Sequence, residues 1–135
     1  MKTPDVVTKA WKKAIKVREN SYSPYSKFAV GASIVTSKGD IFTGCNVENA
    51  VYNSSCAERN AIFTAVSNGQ NKIKHVVVVT SAKTPTPPCG FCRQVIAEFA
   101  DSKTKVWIYD LKELKGCYKF FEELLPLAFT PKNLK

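Results

Sequence analysis

Three cysteines, one glutamate and one arginine are grouped so that they could do chemistry. Cys56, Glu58 and Arg59 fall in SCAERNA, and Cys89 and Cys92 fall in PCGFC. Positions i and i+3 share a helix face, so the two CxxC thiols can reach one ion. A helix start carries unpaired backbone N–H groups and partial positive charge. That field favours thiolate, the form that binds metal. If the two helix starts meet, three thiolates converge, and such sets suit zinc. CxxC alone fits a redox dithiol or an ordinary helix start equally well. Cys56 with a following Glu58 adds the case for metal. Three protein ligands leave the fourth tetrahedral position open, which marks a catalytic rather than a structural zinc. Cys45 and Cys117 could supply a fourth ligand, but both lie in apolar stretches and read as small buried hydrophobes.

Glu58 is two residues from Cys56, so it can face the same cavity without ligating the metal. A carboxylate there suits a general base that later acts as general acid. On an isolated helix it would only favour its own dipole, worth about 0.3–1 kcal/mol. Arg59 is three residues after Cys56 and shares its face. Zinc with three thiolates carries a net negative charge, and a guanidinium bonded to sulfur withdraws some of it. Away from such a set Arg59 would be a solvated helix residue.

The elements that must position these residues can be read along the chain. Residues 5–19 place Val6, Ala10, Trp11, Ala14 and Ile15 near helical spacing, with lysines opposite. FAVGASIVTS and IFTGCNV read as a hairpin turned by KGD. SSCAERNAIFTAVSNG reads as a helix stopped by Gly69. KIKHVVVVTS is a buried strand, and His75 within it reads as structural. AKTPTPP is a stiff loop, CGFCRQVIAEFA a helix and KTKVWIYDL a strand. CYKFFEELLPLAF reads as a short strand and a brief helix ended by Pro126. Alternating elements of this kind predict an α/β fold, a three-layer α/β/α sandwich on a mixed sheet of about five strands. The strands joined through helices are expected to run parallel.

With 135 residues and no repeat or long linker, residues 1–135 read as one domain. No apolar run is long enough to span a membrane. The N-terminus lacks the pattern of a secretion signal, which points to the cytoplasm and to reduced cysteines. The net charge is +9, from 17 Lys and 3 Arg against 11 acidic residues. Phosphate and base readers lean on the arginine fork, so this balance argues against a nucleic-acid partner.

CAERNA followed by PCGFCRQV resembles the cytidine deaminase signature. SPYSKFAVGA, GCNVENAVY and the late ELLPLAF fall where the small, homotetrameric members carry similar segments. The likeness runs from about Ser21 to Phe129. It implies zinc-dependent hydrolytic deamination of cytidine and deoxycytidine to uridine and deoxyuridine, with release of ammonia, in pyrimidine salvage. It implies Glu58 as the proton shuttle between attacking water, N3 and the leaving ammonia. It implies Asn46 and Glu48 on the ribose 3′-hydroxyl, Phe28 stacked on the pyrimidine and Tyr52 on the sugar side. Ala57 would read the base edge through its backbone, and Phe129 would reach in from a neighbouring subunit of a homotetramer. Arginine at position 59 accords with the three-cysteine branch. Pro87 departs from the serine common at that place, so the loop before Cys89 is this chain's own. A deaminase of a modified cytosine nucleoside (blasticidin-type), a nucleic-acid editor and a non-catalytic zinc module are the rival readings. The last predicts a closed fourth coordination position and a dispensable Glu58.

Overall fold

A computed structural model describes residues 2–112 and 117–135, with Cys117, Tyr118 and Lys119 described in backbone only. The chain opens with α1, Asp5–Arg18, which buries Val7, Ala10 and Ala14 and turns Lys9, Lys12, Lys13 and Lys16 to solvent. β1 (Val30–Thr36) and β2 (Ile41–Cys45) form the expected hairpin. Its turn needs a left-handed residue, and Gly39 supplies it at φ 86°. α2 (Ala57–Ser67) is followed by Gly69 at φ 81°, so the predicted helix stop holds. β3 (Ile73–Thr80), α3 (Gly90–Phe99), β4 (Lys105–Tyr109), β5 (Cys117–Phe120) and α4 (Phe121–Leu124) complete the order. A final 3₁₀ turn at Pro131–Leu134 had no sequence expectation.

The five strands line up as β2-β1-β3-β4-β5. Only β3 and β4 pair in parallel, and the other three ladders are antiparallel. Strand side chains alternate between faces, and that alternation divides the core. Val35, Val77, Val79, Trp107 and Tyr109 pack against Val7, Ala10 and Ala14 of α1. Ala32, Ile34, Val76, Val78 and Val106 pack against Ala57, Ala61 and Ile62 of α2 and Ile96 of α3. The run VVVV is apolar because both faces of β3 are covered. The three-layer α/β/α sandwich with a mixed sheet is thus the architecture found.

Two features bear on the helix starts. Gly44 lets α2 lie directly on β2, since a Cβ there would meet Ala61 N at 2.5 Å and Ala57 O at 2.6 Å. Val47 bridges to Tyr22 on one side and Ser55 on the other, lacing residues 21–30 to the approach to α2.

His75 is structural. Its Nδ1 accepts the indole N–H of Trp107 at 3.1 Å. Burial, then the Lys74 and Lys105 charges, holds its pKa down at about 4. Cys45 corrects the expectation of a buried cysteine: it is half-buried, because β2 is the edge strand and covers its side chain incompletely. The thiol of Cys117 lies outside the described residues.

Candidate active site

Cys56 and Cys89 are the N-cap residues of α2 and α3, both extended just before the first helical turn. Cys92 follows one turn into α3 and is fully buried. The Sγ atoms of Cys56 and Cys89 are 3.6 Å apart, and those of Cys89 and Cys92 are 3.4 Å apart. All three lie within 4.8 Å of one another, the one such group of potential ligands among the described residues. Tetrahedral zinc with sulfur at 2.3 Å needs sulfurs about 3.8 Å apart, so the set fits that ion with small adjustment.

Electrostatics favours the thiolate form of Cys56. A hydrogen bond from Cys92, with further help from Arg59 and Cys89, holds Cys56 at about 5 against the opposing effect of burial. Cys92, donating to Cys56 and buried, is pushed upward. Arg59 Nη2 stands 3.6 Å from Cys56 Sγ and donates to the Ser54 carbonyl at 3.0 Å. Its guanidinium carbon lies 6.0 Å from the centre of the Phe91 ring.

Glu58 is 4 % exposed although it belongs to the first turn of a helix. Burial pushes its carboxyl up to about 7. It lines a cavity of about 260 Å³ together with Cys56, Cys89, Ala57, Phe28, Asn46 and Glu48. The structure therefore brings together the expected metal set, the expected proton carrier and four of the six expected substrate residues. Tyr52 and Phe129 do not line this cavity. Tyr52 is exposed, sits at φ 58° and meets Tyr25 edge-on at 5.5 Å. Phe129 is 58 % exposed, and its carbonyl accepts the side-chain N–H of Gln94 at 2.8 Å.

Asn46 and Glu48 make a set of hydrogen bonds that the sequence did not reveal. Asn46 Oδ1 accepts from Val30 N at 2.9 Å and from the Ser21 hydroxyl, and its Nδ2 donates to Phe28 O at 2.8 Å. Glu48 Oε1 accepts from Tyr25 N at 3.0 Å and Ser26 N at 3.1 Å, and Oε2 accepts the Ser26 hydroxyl. Ser26 Oγ in turn accepts from Phe28 N at 3.1 Å. The pair thus fixes the loop that carries Phe28. In these bonds Asn46 uses one of its two N–H donors and Glu48 Oε2 uses one of its two lone-pair directions. One donor and one acceptor remain. Ser21 and Ser26 were the available signal, but Asn46 and Glu48 lie 25 and 22 residues away from them in sequence.

This fold and this sulfur set are those of a zinc-binding deaminase. The family described as the cytidine and deoxycytidylate deaminase zinc-binding region matches residues 5–108, and the chain belongs to that family. The cytidine deaminase of Halalkalibacterium halodurans is 43 % identical over 128 residues, covering 91 % of this chain and 93 % of that one. The cytidine deaminase of Sporosarcina psychrophila is 46 % identical over 122 residues, covering 88 % of each chain. The crystal structure of cytidine deaminase from Burkholderia pseudomallei superposes with a TM-score of 0.85 at 38 % identity, covering 90 % of this chain and 98 % of that one.

Proposed function

We propose that the chain is a single catalytic domain that deaminates free cytidine and deoxycytidine, in the cytoplasm, as a step of pyrimidine salvage. The observation that carries this reading is the buried Glu58 carboxylate in the same 260 Å³ cavity as the cysteine pair Cys56 and Cys89. That volume is just below the roughly 300–1,000 Å³ usual for small-molecule sites, which suits one nucleoside and leaves no enclosed room for a polynucleotide. No helix among the described residues is long and apolar enough to cross a membrane.

Cys56, Cys89 and Cys92 would hold the zinc, with Arg59 offsetting the charge of their sulfurs. Zinc bound there supplies Lewis-acid activation of the attacking water. Glu58 takes the proton of that water on its carboxylate and delivers it to N3 of the pyrimidine. Once the water oxygen has bonded to C4, Glu58 takes the proton of the new C4 hydroxyl and passes it to the amino group, which leaves as ammonia when the C4–N bond breaks. A carboxyl lifted toward neutrality by burial is suited to both directions of transfer. Phe28 offers a ring face to the base, and the Ala57 backbone faces the same cavity.

The spare donor of Asn46 and the spare acceptor of Glu48 match one hydroxyl, which accepts from the first and donates to the second. Only one hydroxyl can use both at once. This supports a grip on the 3′-hydroxyl that ignores the 2′ position. Homotetrameric assembly is supported by large apolar side chains turned outward: Val51, Tyr52, Phe91 and Leu127 are all at least 77 % exposed. Phe129, outside its own cavity, is free to complete a neighbour's, and Tyr52 to meet the sugar side there.

Ultraviolet absorbance during incubation with cytidine, deoxycytidine and 3′-deoxycytidine tests the reading. The first two should be consumed with similar kcat/KM. The third loses two bonds, one of them to a carboxylate, and should fall about 10²–10³-fold. No turnover of cytidine removes the proposal, and equal turnover of all three removes the Asn46–Glu48 grip.

A further inference from the structure

Helix α3 does more than hold two cysteines. The residues directly after Cys92 are Arg93 and Gln94, and both reach the segment that follows α4. Arg93 Nη1 donates to Leu124 O at 2.8 Å, and its Nε donates to Pro88 O at 2.8 Å. Gln94 Nε2 donates to Phe129 O at 2.8 Å. A single arginine therefore ties the carbonyl before Cys89 to the root of the C-terminal segment, and Gln94 ties down its tip.

Between those two points the segment is anchored and displayed by turns. Leu124, Leu125 and Ala128 pack against the core, while Leu127 and Phe129 face outward. Leu127 sits at φ 55°, a conformation that a branched side chain seldom adopts, so its surroundings must hold it. The backbone groups that α3 captures are the carbonyls at either end of this stretch. Main-chain capture fixes where Phe129 projects while leaving its ring free.

We infer that Arg93 and Gln94 are positioning residues that hold residues 124–129 as a rigid arm, so that Phe129 enters the active site of a neighbouring subunit at a fixed depth. The inference rests on the proposed assembly. It adds that one helix sets both the metal ligands of its own site and the aromatic wall of the next. Arg93 makes the link physical, because it grips Pro88 next to a ligand and Leu124 at the base of the arm.

The test uses the zinc-loaded enzyme and four variants. Gln94→Glu keeps size but cannot donate to the Phe129 carbonyl, and Arg93→Lys cannot bridge two carbonyls in a fork. Both should keep zinc content and assembly state while KM rises about tenfold and kcat changes little, since a displaced wall costs binding before it costs chemistry. The Gln94→Glu chain is then co-expressed with a Glu58→Gln chain, under two affinity tags, to isolate mixed assemblies. The Glu58→Gln subunits have silent sites but intact arms. They should restore a low KM to the Gln94→Glu sites, and adding Phe129→Ala to them should abolish that rescue. An assembled enzyme with unchanged KM in Gln94→Glu overturns the positioning role. A raised KM without rescue shows that the bond acts within its own subunit and overturns the arm. A monomeric, fully active wild type overturns the assembly reading itself, and the arm with it.

Discussion

Arg59 and Cys56 share one face of the start of α2, and the guanidinium Nη2 lies 3.6 Å from the sulfur. The contact ranks behind the Cys92 hydrogen bond among the causes that hold Cys56 at about 5. It is, however, the contact that brings a formal positive charge to the sulfur set.

Arg59→Gln keeps the length of a donor and loses the charge. Fold and metal content should survive, and activity should fall about 10–100-fold, the usual cost of losing a partner that tunes a metal ligand. In the metal-free protein, thiolate absorbance in the ultraviolet should titrate at higher pH than in the wild type, since a group that lowers the Cys56 pKa is gone. An unchanged titration together with unchanged turnover would show that the guanidinium is merely packed nearby.

Glu58→Gln should retain zinc, assembly and nucleoside affinity. Glutamine fills the same space but carries no proton at neutral pH. Because one carboxylate serves several transfers, turnover should drop by about 10⁴-fold, the top of the range for general acid–base catalysis, or further. Zinc analysis, affinity and rate are measured on one preparation. Loss of zinc would make Glu58 structural, and turnover within tenfold of wild type would move the proton shuttle elsewhere.

His75 gives the fold a pH dependence that is separate from the site. Its folded-state pKa is about 4, below the ordinary 6.5. A protonated imidazole could no longer accept the Trp107 N–H. The unfolded chain therefore binds the extra proton first as pH falls. Stability from this group is complete above about 6.5 and drains away down to about 4, by up to roughly 3 kcal/mol. His75→Gln, whose amide oxygen can still accept from Trp107, should show a flatter stability profile across that window. Denaturant melts at several pH values distinguish the two, and parallel profiles would assign the acid sensitivity to other groups.

Gly44→Ala should unseat α2. The new methyl group would press on the backbone of Ala57 and Ala61, which cannot yield as a flexible side chain would. Destabilisation of at least about 3 kcal/mol is expected, the upper range for overpacking. Metal retention should fall with it, since Cys56 caps the displaced helix. A variant of wild-type stability would mean that the strand and helix separate easily.

Much of this was legible in the sequence because local signals agreed. Gly39 and Gly69 marked the turn and the helix stop, VVVV marked a strand covered on both sides, and the two cysteine-led helix starts announced the metal set. What stayed hidden depends on contacts between distant segments. Asn46 and Glu48 look like substrate ligands in one dimension. Only folding shows that Ser21, Tyr25, Ser26 and Val30 occupy most of their bonding capacity. Tyr52 and Phe129 cannot be located by spacing at all, and neither lines the cavity that holds Glu58. Cys45 misled because an apolar strand pattern does not say which strand forms the edge.

Cys56 and Cys89 are 33 residues apart and belong to different helices. A metal held by their sulfurs is therefore a cross-link as well as a reagent. It closes a long loop of the unfolded chain, and it binds the folded state alone at full strength. The joint it staples lies between α2 and α3, which meet where the sheet itself offers no hydrogen bonds to join them. Loading with zinc and resistance to unfolding then become one quantity seen by two methods. A chelator that silences the enzyme should lower its melting temperature in the same titration, and a cell that starves this protein of metal also hands it to its proteases.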